Sequence, residues 1–133
     1  MQFSSGIQTV LLGGIIREGS PDLTGLVTEN NLDMFTAGIA FLGADGIGLD
    51  GTLFTEDMRI VKVDQKIRKQ AAKNYILADS SKIGKTALAT NGFVSQAEAF
   101  ITDDGIEDEV KKNFKDMGAT VITVKALNST VVL

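Results

Sequence analysis

A chain of 133 residues with 44% hydrophobic residues can fill one compact core and is short for two domains. It contains no Cys and no His, which excludes a disulfide framework, thiolate metal sites, and Ser-His-Asp or Cys-His nucleophile chemistry within the chain, and makes the reducing cytoplasm the expected compartment. A net charge of −4 argues against a nucleic-acid surface, no apolar stretch reaches the ~18 residues of a membrane span, and 14 Gly against one Pro leave no Pro-rich linker.

In chain order, the first apolar, β-rich run is Gln8–Leu12, followed by the pair Gly13-Gly14. Asp22–Phe35 carries Leu23, Leu26, Val27 and Met34 on a helical face. Gly38–Gly43 is apolar almost throughout, the pattern of a strand covered on both sides. A second helix is expected over Met58–Ala72, with Ile60, Val63, Ile67 and Ala71 at helical spacing, and a strand over Asn74–Ala78. Ala99–Thr102 reads as a strand, and Ile106–Met117 as a helix whose stripe is Ile106, Val110, Phe114 and Met117. Asp104 stands as its N-cap and Gly118 at its C′ position. Thr120–Val124 closes the series. Strands alternating with helices predict an α/β, Rossmann-like fold with a largely parallel sheet of about five strands and flanking helices.

The segment at 40–51, AFLGADGIGLDG, holds four glycines and two aspartates and opens a connection of about 14 residues. Its Gly46-Ile47-Gly48-Leu49-Asp50-Gly51 satisfies the GxGxxG spacing of a dinucleotide loop. The third glycine of such a loop must open a helix; here Thr52-Leu53-Phe54-Thr55 follows, which reads as a short strand or extended turn. Asp45 and Asp50 lack the alternating ligands of a calcium loop, and Gly84-Lys85-Thr86 lacks the earlier glycine of a P-loop. No cofactor and no metal is therefore expected. Gly48–Gly51 reads as a tight turn. Gly43-Ala44-Asp45-Gly46 reads differently, because a carboxylate flanked by glycines just past an apolar strand suits the hydroxyls of a polyol.

Three strand ends would then share one edge of the sheet, where ligands bind in open α/β folds. They are Leu12-Gly13-Gly14, Gly43-Ala44-Asp45-Gly46 and Ala78-Asp79-Ser80-Ser81-Lys82. Backbone amides at Gly13 and Gly14 and the ammonium of Lys82 would meet an anion, while Gly43, Asp45 and Gly46 would meet hydroxyls. Together they describe a site for a phosphorylated sugar.

The order LLGG … IAFLGADGI … AAKNYILADSSKIGK … FITDDGI … VITV resembles the carboxyl-terminal sensor domain of the DeoR family of bacterial transcription regulators, from about Gln8 to Val124. The resemblance implies a fold similar to ribose-5-phosphate isomerase and glucosamine-6-phosphate deaminase, and a domain that senses phosphorylated sugars and assembles with copies of itself. The isomerase has a DGADE segment where this chain has Leu42-Gly43-Ala44-Asp45-Gly46; losing the acid at Leu42 implies binding without turnover, hence no enzyme. Asp64 aligns with an isomerase catalytic glutamate, but its neighbours Lys62, Lys66, Arg68 and Lys69 make a solvated helix face the reading of this position. The family's DNA-reading helix-turn-helix has no counterpart here, nor has its Ser-Gly-Thr-Thr-like phosphate loop, so the chain resembles an amino-terminally truncated sensor domain. DNA contact would come only through that absent domain, and a homo-oligomer is expected to cover the apolar face bared by the truncation. An aldose-ketose isomerase or amino-sugar-phosphate deaminase of the same fold is the alternative.

Overall fold

The computed structural model describes residues 6–126. The chain folds in the order β1 (Ile15–Ile16), β2 (Leu23–Thr24), α1 (Leu26–Leu32), β3 (Ala37–Leu42), β4 (Gly46–Ile47), β5 (Thr52–Thr55), α2 (Met58–Gln70), β6 (Ala71–Leu77), β7 (Ala89–Phe93), β8 (Ala99–Asp103), α3 (Asp108–Asp116) and β9 (Val121–Val124). Single 3-10 turns lie at Ser80–Lys82 and Val94–Gln96.

The apolar, non-alternating runs at 38–43, 74–78, 99–102 and 120–124 become one parallel sheet, in the order β3-β6-β8-β9. Its register lines up one residue from every strand: Leu42 beside Ile76, Ile76 beside Phe100, Phe100 beside Val121. All four are buried and belong to one core with Phe114, Ile106 and Ala119 at the α3 end. Phe114 and Phe100 meet edge to face, ring centres 6.1 Å apart. Ile47 and Leu53 join the same core from a three-stranded antiparallel sheet, β4-β5-β7, and Val94 joins it from the 3-10 turn that follows β7. On the opposite face of the parallel sheet Ile39, Phe41, Leu77, Ile122 and Val124 are exposed, with the Phe41 and Tyr75 rings 5.6 Å apart.

Four sequence expectations change. The run at 8–12 forms no strand, so among the described residues the parallel sheet has four strands, with β3 at its edge. A strand needs a partner for its backbone groups. Here Asn31 Nδ2 donates to the Leu12 carbonyl (2.6 Å) and Thr28 Oγ1 to the Gly13 carbonyl (2.7 Å), which ties the segment to a helix instead. Second, the helix expected from Asp22 begins at Leu26, because Leu23-Thr24 pairs antiparallel with Ile15-Ile16. Third, α2 stops at Gln70 and the chain enters β6 at once, three residues earlier than the apolar pattern alone suggests. Fourth, α3 starts after Glu107, which makes no side-chain cap, and Asp104 does not cap it. At the other end Gly118 sits in the left-handed region (φ 89°) past α3, and Ala119 N–H returns to the Phe114 carbonyl at 2.9 Å, the closing expected of a C′ glycine.

The glycine-rich loop resolves into a hairpin. Gly51 N–H donates to the Gly48 carbonyl and Gly48 N–H to the Thr52 carbonyl, both at 2.8 Å, while Asp50 Oδ1 accepts from Thr52 N–H at 3.0 Å. The GxGxxG spacing therefore builds the β4–β5 turn and opens no helix. Gly51 has φ 80°, and a Cβ there would lie 2.9 Å from Val94 Cγ2. Gly51→Ala is expected to cost about 1–3 kcal/mol through left-handed strain and crowding of Val94, read as a lower urea midpoint with an unchanged slope.

Candidate functional site

A cavity of about 550 Å³ opens at the carboxyl end of β3. Gly43, Ala44 and Asp45 form its floor, α2 supplies Ile60, Val63, Asp64 and Ile67, and the loop before β2 closes it with Arg17 and Asp22. The parallel register explains the position: β3 leaves the sheet immediately after Leu42, the residue in the buried row, so the next turn of backbone falls outside the core.

Asp45 is held as the sequence placed it, on the strand tip, yet one of its oxygens is already engaged. Oδ2 accepts from Thr55 Oγ1 at 3.0 Å and from Glu56 N–H at 2.9 Å, which tethers the end of β5 to the end of β3. Oδ1 accepts no hydrogen bond from the described residues. Asp64, expected on a solvated face, is instead 8% exposed and lines the cavity. This is a correction with a simple cause. On α2 the apolar Val63 and Ile67 turn inward and carry Asp64 with them, while Lys62, Lys66 and Lys69 remain on other faces. Asp64 Oδ2 accepts from Asn91 Nδ2 at 2.5 Å. Asn91, 3% exposed on β7, is fixed by Arg68, whose Nη1 and Nη2 donate to its side-chain and backbone oxygens at 3.1 and 2.8 Å. Burial pushes the Asp64 carboxyl above the usual carboxylate range, the Asn91 hydrogen bond and the Arg68 charge oppose this, and Asp22 and Asp45 add to the rise. Arg17 donates from Nη2 to Asp22 Oδ2 at 2.7 Å, and its buried Nε has no partner among the described residues.

The other expected site residues are spread around this cavity rather than gathered in it. Gly13 and Gly14 lie beside it with φ 73° and 119°, and their smallness serves α1: a side chain on Gly14 would collide with Thr28 Oγ1 and the Thr24 carbonyl. Gly46 is buried against the Lys85 backbone. Lys82 is half-buried on the Ser80–Lys82 turn, its charge near Asp79, and lines neither the main cavity nor a second one of about 400 Å³ between that turn and α3. Asp79 caps the turn by accepting from Ser81 N–H (2.9 Å), and Asp103 clamps it, accepting from Ser80 N–H and Ser80 Oγ, both at 2.7 Å, and from Gly105 N–H at 2.8 Å. Among the described residues no group of three or more acidic side chains could hold a metal ion, and no helix is long and apolar enough to cross a membrane.

Asn91, Arg17 and Asp22 escape sequence reading because nothing local marks them; each is polar, isolated and brought in by a different element. Asp64 did carry a signal, the inward neighbours Ile60, Val63 and Ile67 at helical spacing, which outweighs the lysines around it.

Comparison with known proteins gives a consistent picture. A family model, the DeoR C terminal sensor domain, matches residues 1–104. The chain is similar to the HTH-type transcriptional regulator GlpR of Haloferax volcanii, 24% identical over 112 residues that make up 84% of this chain and 44% of that protein. It is similar to the putative aga operon transcriptional repressor of Escherichia coli O157:H7, 24% identical over 121 residues, 91% of this chain and 45% of that protein. The glycerol-3-phosphate regulon repressor of Escherichia coli K12 is 29% identical over 94 residues, 71% and 37% of the two chains. The chain thus spans less than half the length of these relatives.

The clamp on the Ser80–Lys82 turn has a pH signature. Hydrogen bonds from the Ser80 side chain, Ser80 N–H and Gly105 N–H lower the Asp103 pKa from 3.8 to about 2. A carboxyl depressed by folding stabilises fully above its unfolded pKa and loses that contribution as pH falls through the folded value. Asp103→Asn should therefore flatten the loss of stability between about pH 4 and pH 2, measured by thermal unfolding across that range, and leave the rest of the profile unchanged.

Proposed function

The chain belongs to the DeoR C-terminal sensor domain family, and from that premise we propose that it is the effector-sensing and oligomerising part of a sugar-metabolism transcription regulator, binding a phosphorylated sugar without turnover. The observation that carries this reading is the cavity at the β3 tip, where the carboxylates of Asp45 and Asp64 and the amide of Asn91 converge. Such convergence of fixed polar groups in a cavity that also carries apolar side chains suits a small polyhydroxylated ligand. The relatives' printed names, a glycerol-3-phosphate regulon repressor and an aga operon repressor among them, support a ligand from sugar or polyol metabolism. In this reading Gly43 and Asp45 floor the site, Gly13, Gly14 and Gly46 shape the backbone around it, and Lys82, on the neighbouring strand tip outside the cavity, would meet the anionic group only of a ligand that extends beyond it. The fold is Rossmann-like and the protein acts in the cytoplasm. Operator DNA would be met by a helix-turn-helix of the kind the relatives' names specify.

Signalling follows if ligand binding favours one arrangement of an oligomer over another. The exposed apolar face of the parallel sheet, with Ile39, Phe41, Leu77, Ile122 and Val124, supports assembly with a second copy, because β3 carries no charge that would repel an identical edge.

A second reading, an aldose-ketose isomerase of related fold, is favoured by one observation: the Asp64 carboxyl is buried on the cavity, and burial pushes its pKa above the usual carboxylate range. Proton transfer between adjacent carbons needs a base within reach of the substrate. Incubation with ribose 5-phosphate should leave it unchanged; turnover abolished by Asp64→Asn would establish the isomerase instead.

Thermal unfolding against ribose 5-phosphate, glucose 6-phosphate, glucosamine 6-phosphate and glycerol 3-phosphate tests the sensor reading. A ligand at 100 times its Kd should stabilise the chain by about 2.7 kcal/mol. Asp45→Ala should weaken that response at least severalfold and also lower the unliganded Tm, since Asp45 tethers Thr55 and Glu56. No shift with any of the four compounds would refute the reading. Phe41→Glu should reduce the sedimentation-derived mass if the sheet face is the interface between copies.

A further inference from the structure

We infer that Asp64, presented by Asn91 and Arg68, is the acceptor for a ligand hydroxyl in this cavity and selects ligands by the carbon that bears it; the inference rests on the β3-tip cavity being the effector site. Three observations lead there. Asp64 is more than nine-tenths buried and lines the cavity. Its Oδ2 is committed to Asn91, whose orientation cannot invert because Arg68 grips both the Asn91 side-chain oxygen and its carbonyl. Its Oδ1 accepts nothing from the described residues and keeps solvent-accessible surface on the cavity side.

A purely structural role accounts poorly for this arrangement. If the residue served only to receive the Asn91 amide, a neutral amide oxygen would do so without the desolvation that burying a carboxylate costs. A carboxylate with one oxygen pinned and the other open is instead a directed acceptor. It has lost the freedom to rotate, so a donor must come from one direction, and a hydroxyl of the wrong configuration would leave the oxygen unmet.

The charge around Asp64 defines what it can accept. Asp22 and Asp45 border the same cavity, and the guanidinium of Arg17 is already paired with Asp22. Arg68, behind Asn91, offsets part of this charge, yet the acidic groups Asp22, Asp45 and Asp64 outnumber the basic ones. A phosphate placed beside Asp64 would be repelled, whereas hydroxyl donors would be attracted. The ligand then binds with its hydroxyl-bearing carbons toward Asp64 and its anionic group away from the three carboxylates.

The test compares the unaltered chain with Asp64→Asn, which keeps the shape and can still meet Asn91 while placing an amide where the open oxygen stood. Calorimetric titration uses ribose 5-phosphate, glucose 6-phosphate, glucosamine 6-phosphate and glycerol 3-phosphate, with inorganic phosphate as the probe that has no carbon-bound hydroxyl. The expected result is a loss of about tenfold or more for whichever sugar phosphate binds the unaltered chain, as for a hydrogen bond to a charged group. Affinity for inorganic phosphate should be equal in the two proteins. If Asp64→Asn fails to unfold cooperatively, Asp64→Glu replaces it; it keeps the charge but shifts the acceptor by one methylene, and the same selective loss is expected. Sugar-phosphate binding that is equal in both proteins would overturn this inference while leaving the sensor reading intact. Equal losses for sugar phosphate and inorganic phosphate would overturn it too, assigning Asp64 a structural role. Failure of every sugar phosphate to bind the unaltered chain would overturn the sensor reading itself, and this inference with it.

Discussion

A single row of side chains, Leu42, Ile76, Phe100 and Val121, runs across the parallel sheet, and the rest of the structure depends on its register. Each strand contributes one buried residue to the row, and Phe114 of α3 seals it. Because side chains alternate across a strand, a slip of one residue in any pairing would turn that strand's apolar member to the opposite face. The row therefore fixes the level of the strands relative to one another. β3 ends in the row itself, at Leu42, and the site begins at the next residue, Gly43.

Fixing the tips in this way leaves the polar groups to be arranged by what lies beyond them. Asp45 reaches across to Thr55 and Glu56, so the floor of the cavity and the entry to α2 move as one unit. Asp103 does the same for the Ser80–Lys82 turn at the neighbouring tip. Both carboxylates join segments distant in sequence by accepting hydrogen bonds from backbone or hydroxyl groups, interactions stronger than neutral ones. The antiparallel sheet β4-β5-β7 then brings Asn91 against α2, and Arg68 holds it there. The cavity is thus bounded by elements locked to the sheet on one side and by the short pair β1-β2, with its Arg17–Asp22 ion pair, on the other.

The two faces of the parallel sheet are treated unequally, and this bears on assembly. One carries the core; the other leaves five apolar side chains in solvent. Apolar surface of that extent on a sheet normally meets a partner. The same physics that makes the buried row decisive for folding makes the exposed row available for association.

Much of this was legible from sequence, and the limits are instructive. The four parallel strands were readable because each is a short β-rich run, mostly apolar and of the right length. The Gly48–Gly51 turn and the Gly118 helix stop were readable because glycine's conformational freedom acts locally. Asp45 was placed at a strand tip because it follows an apolar run directly. By contrast, 8–12 has strand composition and no strand, since pairing is a property of two segments and composition belongs to one. The β4-β5-β7 sheet was largely hidden for the same reason, and with it Asn91. Asp64 was misread because charge in the neighbouring lysines outweighed helical phase, although phase decides which way a residue points. The sequence by itself determined the four parallel strands, the Gly48–Gly51 turn, the Gly118 helix stop and the chemistry available at the strand ends, all of which follow from local sterics and periodicity. Only the tertiary structure decided which of those polar groups share a cavity, because hydrogen bonds such as Asp64 to Asn91, 27 residues apart, exist only after the core has brought their elements together.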